Sequence, residues 1–327
     1  MSQLYFSKAL DIRPGITSVI GSGGKTTLLR TLAAELSDTA PVLLTTTTHF
    51  LPFPEYPLID TASIQEDNVF GAEAEAAHLS RVLRESEALL AEGHRVIVLG
   101  SRLSPDPNKK QLSGVRKPSL HEPMTKLSSP ALSDFRPLLR LFPYILVEAD
   151  GSRRLPLKAH AGHEPVIPLG SQKSILLVGA SGIGQPLDAV CHRPELYREI
   201  LSILSVSRSF PIPAAQAEND SASHLLPDAA VQAEGYASSR PILNSAAETD
   251  PVILGQVLNY EALADCIFLN QLDPIAEAFP GSACIQDTIE QKSWHFTKKQ
   301  LRIARELQET SQVPVFFGSL QKHCCCR

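Results

Sequence analysis

The sequence predicts an α/β protein built on a mostly parallel sheet with helices on both faces. Two patterns point to it. Short apolar runs recur with helix-like segments between them, the alternation of βαβ units. Most of these runs are continuously apolar rather than alternating, as strands covered on both faces must be. Composition agrees: of 327 residues, 43% are hydrophobic and 20% charged, which supplies a buried core and excludes disordered, collagenous and coiled-coil chains. In chain order, strands are expected at 16–20, 42–46, 95–99, 144–148, 174–178, 266–270 and 313–317. Helices are expected at 26–36, where Leu28, Leu29, Leu32, Ala33 and Leu36 share a face, and at 73–92, where Ala76, Leu79, Val82, Leu83 and Leu89 do. Further helices are expected at 194–204, 260–265 and 297–310. The stretches 101–130 and 210–251, rich in Ser, Pro and Lys or Ala, read as irregular. The whole chain, 1–327, reads as one domain with an insertion or accessory subdomain at about 205–252 and a flexible tail at about 320–327.

Thirty basic residues against thirty-five acidic ones leave a net charge of -5. A general nucleic-acid binder needs a basic surface to displace counterions, so that partner class is excluded. No apolar run approaches the 18 residues of a membrane span, and the N-terminal residues lack the pattern of a signal peptide. A cytoplasmic location without membrane association is expected. Of six cysteines, Cys191, Cys266 and Cys284 are isolated, and Cys324, Cys325 and Cys326 crowd the last residues, so there is no disulfide framework. The final three are read as a fraying end rather than a soft-metal site.

Function concentrates where the first strand runs into Gly21-Ser22-Gly23-Gly24-Lys25-Thr26-Thr27 and a helix opens. Glycines let backbone N–H groups turn around an anion, and the helix N-terminus adds partial positive charge. Lys25 reaches terminal phosphates, and the Thr26 hydroxyl can ligate Mg²⁺. Val19 stands where the longer phosphate loop has its first glycine, and the spacing instead resembles the short Gly-x-x-Gly-Lys-Thr-Thr loop of Mur ligases and related nucleotide enzymes. The fold expectation thereby sharpens to a P-loop NTPase-like sheet. Such a loop needs an acid at the end of a neighbouring strand. Glu148 and Asp150 follow the apolar run 144–147 and, two apart, face one side of a continuing strand, so either can be the Mg²⁺-side acid. Arg153, Arg154 and Lys158 come directly after and suggest a second anion site, for the nucleotide's phosphates or for a substrate phosphate or carboxylate.

Thr45 to Thr48 and His49 fall at the end of the second strand, where open α/β sheets bind ligands, with His49 read as a hydrogen-bonded loop residue. Asn270-Gln271-Leu272-Asp273 resembles the Asn-Lys-x-Asp guanine-reading motif of GTPases with Gln for Lys. A carboxylate at Asp273 could accept from guanine N1–H and N2–H, which leans toward GTP while leaving ATP open.

The segments 21–27, 45–49 and 148–159, with His163-Glu164-Pro165-Val166-Ile167-Pro168, resemble in the same order the hallmark stretches of the YqeC family. The likeness runs from the first strand to about Arg193 and thins to the Asn270 strand and Phe316-Phe317-Gly318-Ser319. It is weakest in 210–251 and the cysteine tail. The resemblance implies a P-loop accessory protein for maturation of a selenium-dependent molybdenum hydroxylase or its cofactor. Partners would be a nucleotide and that hydroxylase or its cofactor-assembly proteins.

The residues support a Mg²⁺-dependent NTP hydrolase or phosphoryl-transfer enzyme. Lys25 and the loop amides would stabilise phosphate charge, Thr26 with Asp150 or Glu148 would hold Mg²⁺, and Arg153 or Arg154 would bind the second anion or act as an arginine finger. A GTP-gated chaperone or switch and a non-catalytic nucleotide scaffold are the other readings.

Overall fold

The computed structural model describes residues 6–63, 72–103, 126–130, 132–209, 247–273, 282–286, 293–322 and 324–326. The elements that position the site begin with β1 (Gly15–Gly21), α1 (Lys25–Ser37), β2 (Val42–Thr46) and β3 (His49–Phe50). Next come α2 (Ala72–Ala91), β4 (Val96–Arg102), β5 (Leu127–Ser128) and β6 (Tyr144–Glu148). Then follow β7 (Leu157–Lys158), β8 (Ser171–Gly179), β9 (Cys191–His192) and α3 (Pro194–Ser209). The last are α4 (Pro251–Glu261), β10 (Cys266–Asn270), α5 (Lys298–Thr310), β11 (Val315–Ser319) and β12 (Cys324–Cys326).

The sheet runs β12-β11-β10-β8-β1-β6-β2-β4-β5-β3, with the short strand Leu58–Asp60 also on β4. From β11 to β4 every pairing is parallel. Antiparallel pairs occur only toward the edges of this sheet, at β11/β12, β4/β5 and β3/β5.

Both faces are covered, which is why the central strands are apolar throughout. Ile16, Ile20, Ile145 and Val147 pack with Val82 of α2, Tyr197 of α3, Val257 of α4 and Leu307 of α5. Val19, Leu146, Ile175 and Leu177 face the other way, onto Leu28, Leu29 and Leu32 of α1. Because all parallel strands point one way, the carboxyl ends of β1, β2, β6, β8, β10 and β11 share one edge, where open α/β sheets place ligands. The expected α/β class with a mostly parallel sheet and helices on both faces is therefore observed. No helix among the described residues is long and apolar enough to cross a membrane.

Three expectations need correction. The helix expected at 260–265 lies earlier, at Pro251–Glu261, and the signal for it was Asp250-Pro251. Asp250 caps the helix by accepting from Val252 N, and Pro occupies the first turn, where no N–H is needed. Gly255 lets α4 approach α5: a Cβ there would fall 2.8 Å from the Thr310 side chain.

The last strand spans Val315–Ser319, shifted from 313–317, because Gln312 N and Asn259 Oδ1 hold the preceding turn. Part of the C-terminal stretch expected as a flexible tail is a strand. Cys324–Cys326 adds to the sheet edge as β12 and buries Cys325 and Cys326, since pairing satisfies backbone groups that β11 would otherwise expose. Most of the two irregular stretches, 104–125 and 210–246, lies outside the described residues. Sequence reasoning also missed the helix Phe6–Ala9, whose first N–H groups bond to the buried Glu35 carboxylate.

Candidate active site at the carboxyl edge

Strand β1 ends in a loop whose backbone only glycine can follow. Gly23 and Gly24 have φ of 90° and 131°, and a Cβ on them would lie 2.6 Å from Gly179 Cα and from Asn270 Nδ2 respectively. The first helical bond of α1 runs from Leu28 N to Gly24 O, and no side chain caps the helix. The N–H groups of Lys25, Thr26 and Thr27 thus form the open helix N-terminus, and all three residues line a cavity of about 660 Å³. That volume is in the range of small-ligand sites.

The expected loop divides in two. Gly23 to Thr27 line the cavity. Gly21 and Ser22 do not have amides to offer it, since Gly21 N donates to Asp150 Oδ2 at 2.8 Å and Ser22 N to Leu177 O at 2.8 Å.

Glu148 ends β6 and Asp150 follows two residues later, and the two part ways. Both reach Lys25, whose Nζ lies 3.8 Å from Glu148 Oε1 and 3.0 Å from Asp150 Oδ1 and donates to Gly21 O at 2.6 Å. Glu148 lines the cavity and accepts from Thr26 Oγ1 at 3.4 Å. Burial pushes its carboxyl up, the Lys25 charge opposing and the Asp150 charge assisting, to about 7.

Asp150 is fully enclosed beneath the loop. Lys158 Nζ donates to its Oδ2 at 3.0 Å, as does His160 Nε2 at 2.9 Å. Burial alone would raise its pKa, but the His160 hydrogen bond and the charges of Lys25 and Lys158 outweigh that and hold it well below the usual carboxylate range. Asp150 thus organises the loop from behind, and Glu148 is the acid that faces the cavity.

The network around Asp150 contains residues that spacing alone did not assign. His160 Nδ1 lies 3.1 Å from Glu261 Oε2, so both ring nitrogens face carboxylates, an arrangement that favours the doubly protonated ring. Burial pulls its pKa down, yet the bonds to Asp150 and Glu261 prevail and raise it. Lys158 also reaches Glu164 at 2.5 Å, which in turn holds Arg193 Nη1 at 2.6 Å. Burial opposes, but Arg193 and Lys158 bring the Glu164 carboxyl down to about 2. Glu261 lies at the end of the misplaced helix, so no signal for it was available.

Of the other expected residues, Arg153, Arg154, Asn270 and Asp273 all line the cavity. Asn270 is committed to structure: Nδ2 donates to Gly23 O at 2.7 Å and Oδ1 accepts from Leu320 N at 3.0 Å, tying the loop to the end of β11. It braces the loop as a strut and also lines the cavity. Gln271, in the Lys position of the guanine motif, accepts from Ser181 Oγ at 2.7 Å. His49 is exposed at the cavity wall.

No group of three or more His, Cys, Asp or Glu among the described residues could hold a metal ion. The donors nonetheless fit a Mg²⁺ that shares its coordination with phosphate and water. Octahedral ligands at 2.0–2.1 Å set neighbouring donors about 3 Å apart, near the 3.4 Å between Thr26 Oγ1 and Glu148 Oε2.

The sequence model of the YqeC protein family matches residues 17–195, more than half of the chain. The chain belongs to the YqeC family. It is 30% identical over 188 residues to the protein named "Uncharacterized protein YqeC" of Escherichia coli (strain K12). That match covers 56% of this chain and 59% of the relative's length. No solved structure matches. The loop, both carboxylates, the Asp150 network as far as Arg193 and the arginine pair all fall inside the family span. Glu261, Asn270 and Asp273 fall beyond it.

Proposed function

We propose that this YqeC family chain binds a Mg²⁺-nucleoside triphosphate at the Gly23–Thr27 loop and acts on its terminal phosphate. The observation that carries the reading is the convergence of Lys25, Thr26 and Glu148 with an uncapped helix N-terminus on one cavity at the carboxyl edge of β1. The amides at the start of α1 would bind phosphate oxygens, and Lys25 would exchange part of its contact with Asp150 for the terminal phosphate. Thr26 and Glu148 would hold Mg²⁺, which neutralises phosphate charge when bound. Asp150 would keep Lys25 and Gly21 in place. As an accessory protein, the chain would serve maturation of a selenium-dependent molybdenum hydroxylase or its cofactor.

One observation favours a second reading, a nucleotide-gated switch. Asp150 touches the loop and, through His160 and Lys158, links it to Glu261 at the end of α4 and to Glu164 and Arg193 before α3. Occupancy of the loop would then bias two helices.

Titration of the full chain with Mg²⁺-ATP and Mg²⁺-GTP tests nucleotide binding, and Lys25→Ala should abolish it at a temperature where circular dichroism shows the variant still folded, since loss of the buried Lys25–Asp150 pair also lowers stability. An affinity unchanged by Lys25→Ala would sink the assignment. Steady turnover without a partner supports the enzyme, whereas hydrolysis accelerated only by a partner protein supports the switch.

A further inference from the structure

The cations around the cavity fall into two groups. Lys25 is neutralised by Asp150, Lys158 by Asp150 and Glu164, and Arg193 by Glu164. Arg153, Arg154 and Lys126 line the same cavity, yet none makes an ion pair or hydrogen bond among the described residues. Arg153 and Arg154 are consecutive residues at φ of 49° and 64°, a left-handed pair that side-chain-bearing residues seldom adopt. Both residues are exposed and line the cavity.

The surroundings are suited to an anion. Burial, followed by the charges of Arg193, Lys158 and Arg153, lowers the pKa of His192, another lining residue. Thr48 Oγ1 is buried at the cavity with no hydrogen-bond partner among the described residues, which leaves a donor for a ligand.

The cavity is lined from the β2 and β5 side of β1 by Thr48, His49 and Lys126, and from the β10 and β11 side by Asp273, Ser319 and Gln321. A phosphate tail at β1 already has Lys25 and the open amides of α1. Three further unpaired cations exceed that need.

We propose that the Arg153–Arg154 part of the cavity, beside His192, binds a second small molecule bearing a phosphate or carboxylate group while the nucleotide fills the loop. This deepens the nucleotide reading and rests on it for the partner substrate. Guanidinium groups suit either anion, because two N–H groups can meet two oxygens at once.

The test uses the full chain saturated with Mg²⁺ and a non-hydrolysable triphosphate. Phenylglyoxal modifies arginine side chains, and mass spectrometry maps its sites with inorganic phosphate or malonate present. Either ion should slow modification of Arg153 and Arg154 several-fold while exposed Arg84 on α2 reacts as before. Protection by phosphate assigns a phosphate-bearing ligand, and protection by malonate a carboxylate.

Arg153→Gln with Arg154→Gln should weaken phosphate binding by about tenfold, more than it weakens triphosphate binding. No protection by either ion, or protection by triphosphate alone with equal losses for both ligands, would overturn the proposal. If triphosphate does not bind, the ions are tested without it. Protection then retains the anion site and removes the nucleotide reading, and its absence removes both.

Discussion

Replacing Asp150 with Asn should unfold the chain more readily, whereas replacing Glu148 with Gln should disable the site and leave the fold. Asp150 accepts from Gly21 N, Lys158 Nζ and His160 Nε2 and pairs with Lys25, all at 2.8–3.0 Å. An Asn side chain keeps one acceptor and turns an NH₂ group toward these donors. Removing one member of a buried ion pair costs about 3–5 kcal/mol. Here Lys158 keeps Glu164 at 2.5 Å and Lys25 keeps Gly21 O at 2.6 Å, which points to the lower end, about 3 kcal/mol.

At roughly 2 °C per kcal/mol for a large domain, the melting temperature should fall by about 6 °C. Burial pushes the Glu148 carboxyl up to about 7, toward the neutral form that Gln imitates. Its cost to stability should stay below about 1 kcal/mol, while Mg²⁺-dependent triphosphate affinity falls about tenfold or more. Thermal melts and titrations with and without Mg²⁺ read both effects. An Asp150→Asn variant with unchanged melting that loses Mg²⁺-dependent affinity, beside a Glu148→Gln variant that keeps it, would refute the division of roles.

Asn270→Ala removes the tie from Gly23 O to Leu320 N and should cost about 2 kcal/mol, two hydrogen bonds' worth, and weaken ATP and GTP equally in a titration. Glu164→Gln should flatten the acid limb of the stability curve. Glu164 is lowered from 4.5 to about 2, so the unfolded chain takes up its proton first and stability present above about pH 4.5 is lost toward pH 2. Urea melts at pH 3 and pH 7 measure this, and an unchanged acid limb would show that Glu164 does not drive it. Asp273→Asn tests base choice: if Asp273 accepts from guanine N1–H and N2–H, the variant should weaken GTP and improve XTP. Indifference between the two would mean that Asp273 reads no base.

The glycine loop, the α/β class and the family were legible because each is local or repetitive. A strand, a glycine turn at 21–24 and an amphipathic helix adjoin in sequence, and apolar runs recur wherever a strand is covered on both faces. The pairing of Glu148 and Asp150 was legible too, from their spacing of two. Which of them meets a ligand was not. That depended on β6 ending at Glu148, after which Asp150 turns beneath the loop to a backbone N–H 129 residues away.

Asn270 likewise read as a ligand because its motif is a sequence pattern. Its actual partners, Gly23 and Leu320, are 247 and 50 residues distant and are assembled only by the order of the sheet. Glu261 and His160 are 101 residues apart, and neither carries a spacing that announces the other. Side-chain types and local periodicity determined what chemistry the chain holds. Burial and long-range pairing decided which charges are spent on one another and which remain open to a ligand, since desolvation and counter-charge are properties of the packed molecule.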